Sequence, residues 1–327
     1  MPAGLSGSGH MGFAFETVKG TYVAPTIYVP ILSESFRYVE DRYFSPQIRQ
    51  ATEFSDVKQG YYHIEGTIEM EVDVNFLPYF LFCTRHTPAF AAGVYTFVPS
   101  TAGSTSTAAS GMVQRTASIT TTRNGIARGY AGCTCGSFRF FVDGGVLKVE
   151  MNMIGESDSS QSVPTPTWAA PALFGADAHY IRTDATGTAP TFAGAASLDF
   201  NGFEWQADFG AEAQNRIVAT RSASYVSFGQ TVITMTTELD FVDVTEYNNF
   251  VATTQKAIRF ESLNGGATFA ACTQGVQIDT RRGVYETYDL GLSGLADLIM
   301  AGVTMQGIGI AAATSYTIKV KSPVTIT

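Results

Sequence analysis

The stretch "HIEGTIEMEVDV", His63 to Val74, alternates apolar and polar positions. Ile64, Ile68, Met70, Val72 and Val74 take the even places, with Gly66 among them, while Glu65, Thr67, Glu69, Glu71 and Asp73 take the odd ones. Successive side chains of a strand point to opposite faces, so this spacing predicts a β-strand with one apolar and one acidic face. Directly after it, "NFLPYFLFC" reads as a short apolar helix with Asn75 as its N-cap. Further on, "SFRFFVDGGVLKVEMNMIG" predicts a hairpin. Asp143-Gly144-Gly145 makes the turn, and Leu147, Val149, Met151 and Met153 share one face.

Between these elements the punctuation is soft. The Gly- and Ser-rich start runs into "KGTYVAPTIYVPILSES", where Pro25 and Pro30 favour extended backbone. Residues 1–30 therefore read as an arm, too poor in apolar side chains to offset its own ordering and expected to be ordered mainly by neighbouring subunits. "STAGSTSTAASG" (100–111) reads as a loop by composition, and the Ser-, Pro-, Thr- and Ala-rich residues 157–192 look like a linker.

After that linker the pattern starts again. Laying residue n over n+167 pairs Phe36 with Phe203, Tyr38 with Trp205, Glu71 with Glu238 and Asp73 with Asp240. The acidic strand finds its counterpart in "TVITMTTELDF", where Glu238 and Asp240 lie on the even, mostly polar positions. An odd offset demands that switch of parity. Both strands lead into a helix-like segment, and "GCTCGSFRFFVDGGV" echoes "ACTQGVQIDTRRGV". An internal duplication follows. The expected division is an arm (1–30), a first β domain (31–160), a linker (161–192) and a second β domain (193–327).

Composition narrows the function. The 327 residues are 45% hydrophobic and only 15% charged, with a formal net charge of −9. No run of Lys and Arg offers the phosphate neutralisation that tight DNA binding needs. No stretch approaches the ~18 apolar residues of a membrane helix, the start lacks the pattern of a signal peptide, and no membrane association is expected. On the same ground Cys83, Cys133, Cys135 and Cys272 are expected to be reduced thiols. "GSGHMG" (7–12) matches a dinucleotide fingerprint only formally, because it sits in the arm rather than between a strand and a helix. The four histidines, His10, His63, His86 and His179, are not at ligand spacing. Glu69 and Glu71 could form an acid–base pair, but an acidic row without a pocket reads better as a solvated face. No catalytic residue, metal or cofactor is expected.

The order of elements carries a resemblance. A Gly-rich arm enters "ETVKGTYVAPTIYVPILSESF". Then come the "GTIEMEVDV" strand with its helix, the "YAGCTCGSFRFFVDGGVLKVEMNMIG" hairpin, a linker and a second copy. This resembles the major tail tube proteins of long-tailed bacteriophages, in a duplicated-domain form. The resemblance implies an all-β fold with short flanking helices: two tandem β-sandwich domains whose strands join a ring-wide barrel. It implies a virion protein, assembled in the host cytoplasm, whose rings stack into a hollow tube that conducts genomic DNA to the host. Its partners would be further copies of itself, a tape-measure protein, and tail-terminator and distal tail proteins. Double-stranded DNA would pass without tight binding. Tube lumens of this kind tend to be acidic, which makes Glu65, Glu69, Glu71, Asp73, Glu238 and Asp240 candidate lumen-lining residues. Two fused copies per chain imply a ring of three chains, with a hexamer lined by one copy as the alternative. Other open readings are a virion decoration or glycan-binding β-sandwich, and a β-sandwich hydrolase.

Overall fold

The computed structural model describes residues 9–45, 57–100, 115–185, 192, 197–215, 221–240, 244–291, 300–308, 315–324 and 326. The 100–111 loop thus falls almost wholly outside the described residues. The chain is all-β with two short helices. Its first half holds β1 (His10–Phe15), β2 (Ile27–Val29), β3 (Ser33–Glu34), β4 (Arg37–Phe44), β5 (Val57–Glu71) and α1 (Leu77–Leu81). It continues with β6 (His86–Ala91), β7 (Val94–Pro99), β8 (Ala117–Arg123), β9 (Ile126–Asp143), β10 (Val146–Gly155) and β11 (Ser157–Gln161). The second half holds β12 (His179–Ala185), β13 (Ser197–Leu198), β14 (Phe200–Asp208), β15 (Glu212–Gln214), β16 (Tyr225–Ser227) and β17 (Val232–Asp240). α2 (Thr245–Val251), β18 (Lys256–Asn264), β19 (Gln274–Gly291), β20 (Met300–Gly307) and β21 (Tyr316–Lys321) complete it.

The same order of pairings occurs twice, all antiparallel. In the first half β4 pairs β5, β5 pairs β10, and β10 pairs the later part of β9. The earlier part of β9 pairs β8 on one side and β11 on the other, and β8 pairs β1. In the second half β14, β17, β20 and β19 follow in the same sequence, and the earlier part of β19 lies between β18 and β21, with β12 beyond β18. β9 and β19 each pass from one sheet layer to the other, as strands at the corner of a sandwich do. α1 follows β5 as α2 follows β17.

The halves are joined by hydrogen-bonded strands. β14 adds to the later part of β9, with Glu204 opposite Phe141 and Asp208 opposite Ser137. One long sheet results, in the order β4–β5–β10–β9–β14–β17–β20–β19. In the other layer the last strand, β21, pairs β7 of the first half. Beneath the joint, Trp205 is buried against Phe138 and Phe140, with ring centroids 5.8 and 6.4 Å away, and its indole N–H donates to Thr280 at 2.9 Å. Phe138, Phe140, Phe209 and Tyr316 are buried around it.

Several expectations need correction. Residues 10–15 and 27–29 of the arm are strands of this chain: β1 pairs both β2 and β8, and Met11 and Phe13 are buried. Alternating apolar residues, not composition, decide that segment. The stretch read as a linker contains β12, which pairs β18 along its length and buries Ile181. The echo that matched Cys133 with Cys272 does not hold: Cys133 lies within β9, whereas Cys272 precedes β19. α1 has Phe76 rather than Asn75 at its N-cap and no side-chain cap. All four cysteines are buried thiols. Gly66 sits among apolar positions because a Cβ there would meet the Phe36 Cα at 2.6 Å.

Candidate functional site

The candidate site is the polar face of the long sheet. Each of its strands sends alternate residues into the core, and the intervening ones form the opposite face. Ile64, Ile68 and Met70 of β5 are buried, as are Leu147, Val149 and Met151 of β10, and Phe203, Trp205 and Ala207 of β14. The facing set is therefore Glu65, Thr67, Glu69 and Glu71 on β5, Lys148, Glu150 and Asn152 on β10, and Glu204, Gln206 and Asp208 on β14. On β9 the same parity gives Ser137, Arg139, Phe141 and Asp143.

Register places these side chains side by side. Glu69 lies directly opposite Glu150, and Glu71 opposite Lys148. Two carboxylates facing one another across a ladder are destabilising unless cations intervene. Arg139 does so: its guanidinium donates to Glu150 at 3.1 Å and to Glu204 at 3.2 Å, and stacks 4.8 Å from the Phe141 ring centroid. It thereby joins a carboxylate of the first half to one of the second. Lys148 donates to Asp143 at 2.5 Å. Its ammonium is held above the usual lysine range first by that bond, and further by the charges of Glu69 and Glu71.

The predicted residues fare differently. Glu65 accepts from Arg37 Nε at 2.8 Å, and this bond holds its carboxyl below the usual range although partial burial opposes it. Glu69 accepts from the Ser33 hydroxyl at 3.3 Å. Glu238 is exposed on β17 and accepts from Asn201 Nδ2 at 3.2 Å. Asp240 ends β17 in register with Met300, and its side chain lies outside the described residues. Asp73 leaves the face altogether. β5 ends at Glu71, and the Asp73 side chain, 4% exposed, accepts the backbone N–H groups of Asn75 at 2.8 Å and Ala172 at 3.0 Å. Burial pushes its carboxyl up, and those bonds oppose the shift. Its backbone carbonyl also accepts the amides of Phe76 and Leu77. This is a residue that turns the chain from strand into helix.

Arg37, Lys148, Glu150, Arg139 and Glu204 complete the face without having been singled out from the sequence, together with Asp143, which the sequence assigned only to the hairpin turn. The alternation that exposed the first stripe also runs through "LKVEMNM" and "FEWQAD", so the signal was present in both. In the second half the matching rows carry less charge: Thr234, Thr236, Thr304 and Gln306 are uncharged, while Glu238 keeps the charge of Glu71. Acidic groups outnumber cations over the whole face, and each named cation is already bonded to carboxylate.

Such a surface is suited to repelling a polyanion. It is poorly suited to acid–base catalysis, which needs a carboxyl raised within a pocket, whereas Glu65 is lowered. Among the described residues no group of three His, Cys, Asp or Glu is arranged to hold a metal. No curated protein matches the chain. The family model described as phage tail tube protein, however, matches residues 8–324. With nearly its whole length covered, and an all-β fold of repeated pairing order, the chain belongs to the phage tail tube protein family.

Proposed function

We propose that three copies of this chain close into a ring, that rings stack into the phage tail tube, and that the polar face of the long sheet lines the bore through which DNA passes. The observation that carries this reading is the continuity of the long sheet across both halves, with one net-acidic face. A duplex that must slide cannot be gripped, because every neutralised phosphate adds affinity through counterion release. Carboxylates in excess, with cations already engaged, leave the phosphates no partner.

The geometry supports three chains. A closed barrel of three long sheets, at about 4.8 Å between strands and a tilt of about 40°, has a backbone diameter of about 48 Å. Side chains reduce that to a bore of about 35–40 Å, wide enough for a hydrated duplex. Six such sheets would give about twice the diameter. A hexamer with its second copy on the outside fits less well, since β14 continues the first half's own sheet. Tape-measure, tail-terminator and distal tail proteins would be its partners, the virion tail its place, and the host cytoplasm the site of assembly.

The test is to replace Glu65, Glu69, Glu71 and Glu238 with Lys in the virion. Rings and tubes of normal width should form, and DNA ejection should slow or stop. Unchanged ejection from such tails would remove the channel role of this face, and a mass of six chains per ring would refute the stoichiometry.

A further inference from the structure

Helix α2 is held in a different way from its counterpart. α1 buries Leu77, Pro78, Phe80 and Leu81, whereas no residue of α2 is buried. Tyr247 and Phe250 of α2 lie against Tyr288 of β19, with ring centroids 5.8 and 6.0 Å away. Beside these rings the Glu246 carboxylate gathers donors from three elements. Lys256 Nζ, at the start of β18, donates to Oε1 at 2.5 Å. The Tyr285 hydroxyl of β19 donates to Oε2 at 2.5 Å, and Asn249 Nδ2, one turn along α2, donates to the same oxygen at 3.5 Å. The Lys256 and Glu246 side chains are only 15% and 21% exposed, and Tyr285 is buried, so little water competes.

The chain between Asn249 and Lys256, "FVATTQ", is turned tightly on itself. The Thr253 N–H donates to the Phe250 carbonyl, and the Thr254 N–H reaches back to the Asn249 carbonyl at 2.8 Å. Thr253 takes a φ of +52°, a left-handed conformation that is costly for a β-branched residue. That reversal starts β18 beside the helix the chain has just left. The pairing of β18 with β19 then shifts register between Lys256 and Ile258. One carboxylate thus holds a primary amine and a carboxamide side by side.

We propose that Lys256 and Asn249 join in an isopeptide bond, with Glu246 as the catalytic carboxylate. Glu246 takes a proton from the Lys256 ammonium, and the freed Nζ electron pair attacks Asn249 Cγ. The Nζ–Cγ bond forms as Cγ–Nδ2 breaks. Glu246 passes its proton to the departing nitrogen and accepts the second proton shed by Nζ. The nitrogen leaves as ammonia, which carries that last proton into solution as ammonium and regenerates the carboxylate. No oxidant, metal or cofactor is consumed. In water this exchange is slow, because an ammonium has no free electron pair and a carboxamide is a poor electrophile. Here the base already touches the amine, and well-oriented neighbours can reach effective molarities of roughly 10⁵–10⁸ M. Burial first, and Glu246 second, hold the Tyr285 phenol above its ordinary range, so it remains a donor that fixes the carboxylate in place. The bond lies within one chain and needs no second copy. It would secure α2 as burial secures α1.

Mass spectrometry of the full-length chain tests this. After incubation the wild type should be lighter than its sequence by one ammonia. A succinimide at Asn124-Gly125, Asn201-Gly202 or Asn264-Gly265 would give the same deficit, so digestion must locate it. Trypsin should fail to cut after Lys256 and release residues 222–259 as one peptide carrying the deficit. Cleavage of that peptide after Phe250 by chymotrypsin should leave its two pieces joined. Glu246→Gln, Asn249→Ala and Lys256→Arg should each keep the full mass. A wild type of full mass that trypsin cuts normally after Lys256, a deficit that maps elsewhere, or a bond that persists in Glu246→Gln would each overturn the assignment. The wild-type mass alone shows whether the bond exists, whatever the variants do to the fold.

Discussion

His86 ties the stability of the joint to pH. It is completely buried among Phe97, Phe138, Phe209 and Tyr316, and burial lowers its pKa from 6.5 to about 3. Its hydrogen bonds define a neutral ring. Thr84 Oγ1 donates to the Leu81 carbonyl at 2.5 Å, so its bond with His86 Nδ1 has the imidazole as donor. Nε2 is then the acceptor, and the Tyr316 hydroxyl donates to it at 2.7 Å. A proton on Nε2 would place a cation inside an aromatic cage and turn the Tyr316 hydroxyl hydrogen away from its acceptor.

The sign follows from linkage. In the unfolded chain His86 takes up its proton near pH 6.5, whereas in the fold it resists until about pH 3. The unfolded state therefore binds more protons between those values, and stability falls as pH falls. At about 1.4 kcal/mol per pH unit, this one group removes roughly 2.5 kcal/mol between pH 6 and pH 4. Asp73, Glu156 and Glu261, each raised by burial, act in the opposite direction, so the wild-type curve alone is a mixture. A difference isolates the histidine. His86→Gln keeps a donor and an acceptor and does not titrate in this range. Urea unfolding of monomeric protein should show His86→Gln less stable at pH 7 by about 1–3 kcal/mol. By pH 4 that gap should have closed or reversed, having shifted by roughly 3 kcal/mol. Parallel curves across that range would refute the buried neutral imidazole.

Other expectations are simpler. Arg139→Met should cost about 1–2 kcal/mol at low salt, since it removes two half-exposed ion pairs and a cation–π contact, and most of the ionic part should vanish in 1 M salt, as thermal melts at both ionic strengths would reveal. Gly66→Ala should destabilise by about 1–3 kcal/mol in urea titrations, because the new methyl meets the backbone of Phe36. Asp73→Asn puts an N–H2 where one of two backbone amides now donates, and a loss of about 1–3 kcal/mol in the same assay would support its role at the strand-to-helix turn.

How much of this was legible depends on what each segment is in contact with. β5, the β9–β10 hairpin and both helices followed from alternation and turn residues, since their partners lie close in sequence or their patterns are strong. β1 and β12 were missed because Gly, Ser, Pro and Thr surround them, and composition masked short runs such as "MGFAF" and "HYIRT". The 167-residue offset was readable where β4–β5 and β14–β17 repeat. The separate echo of Cys133 in Cys272 misled, because it rested on a few shared residue types while β9 and β19 begin 148 residues apart. Asp73 continued the odd-numbered pattern on paper, but the strand had ended two residues earlier. No periodicity could report that a backbone N–H as distant as that of Ala172 would claim its carboxylate.

The arrangement of charge on the long sheet also explains why a stripe of acids can be kept in a strand at all. Unpaired, Glu69 and Glu150 face each other across a ladder, and each would raise the energy of the other. Lys148 and Arg139 sit within that cluster and bond to its carboxylates, which keeps the sheet together without reversing its sign. The second half meets the same requirement differently. Its corresponding rows carry Thr234, Thr236, Thr304 and Gln306, and Glu238 lies between Gly302 and Asn201, so no carboxylate faces it directly across a ladder. Both halves thus keep the sheet stable while its face holds an excess of carboxylates and never becomes attractive to phosphate. In a ring of three chains the wall would alternate between strips of higher and lower charge. Its backbone would repeat six times around the bore, and its electric field three times.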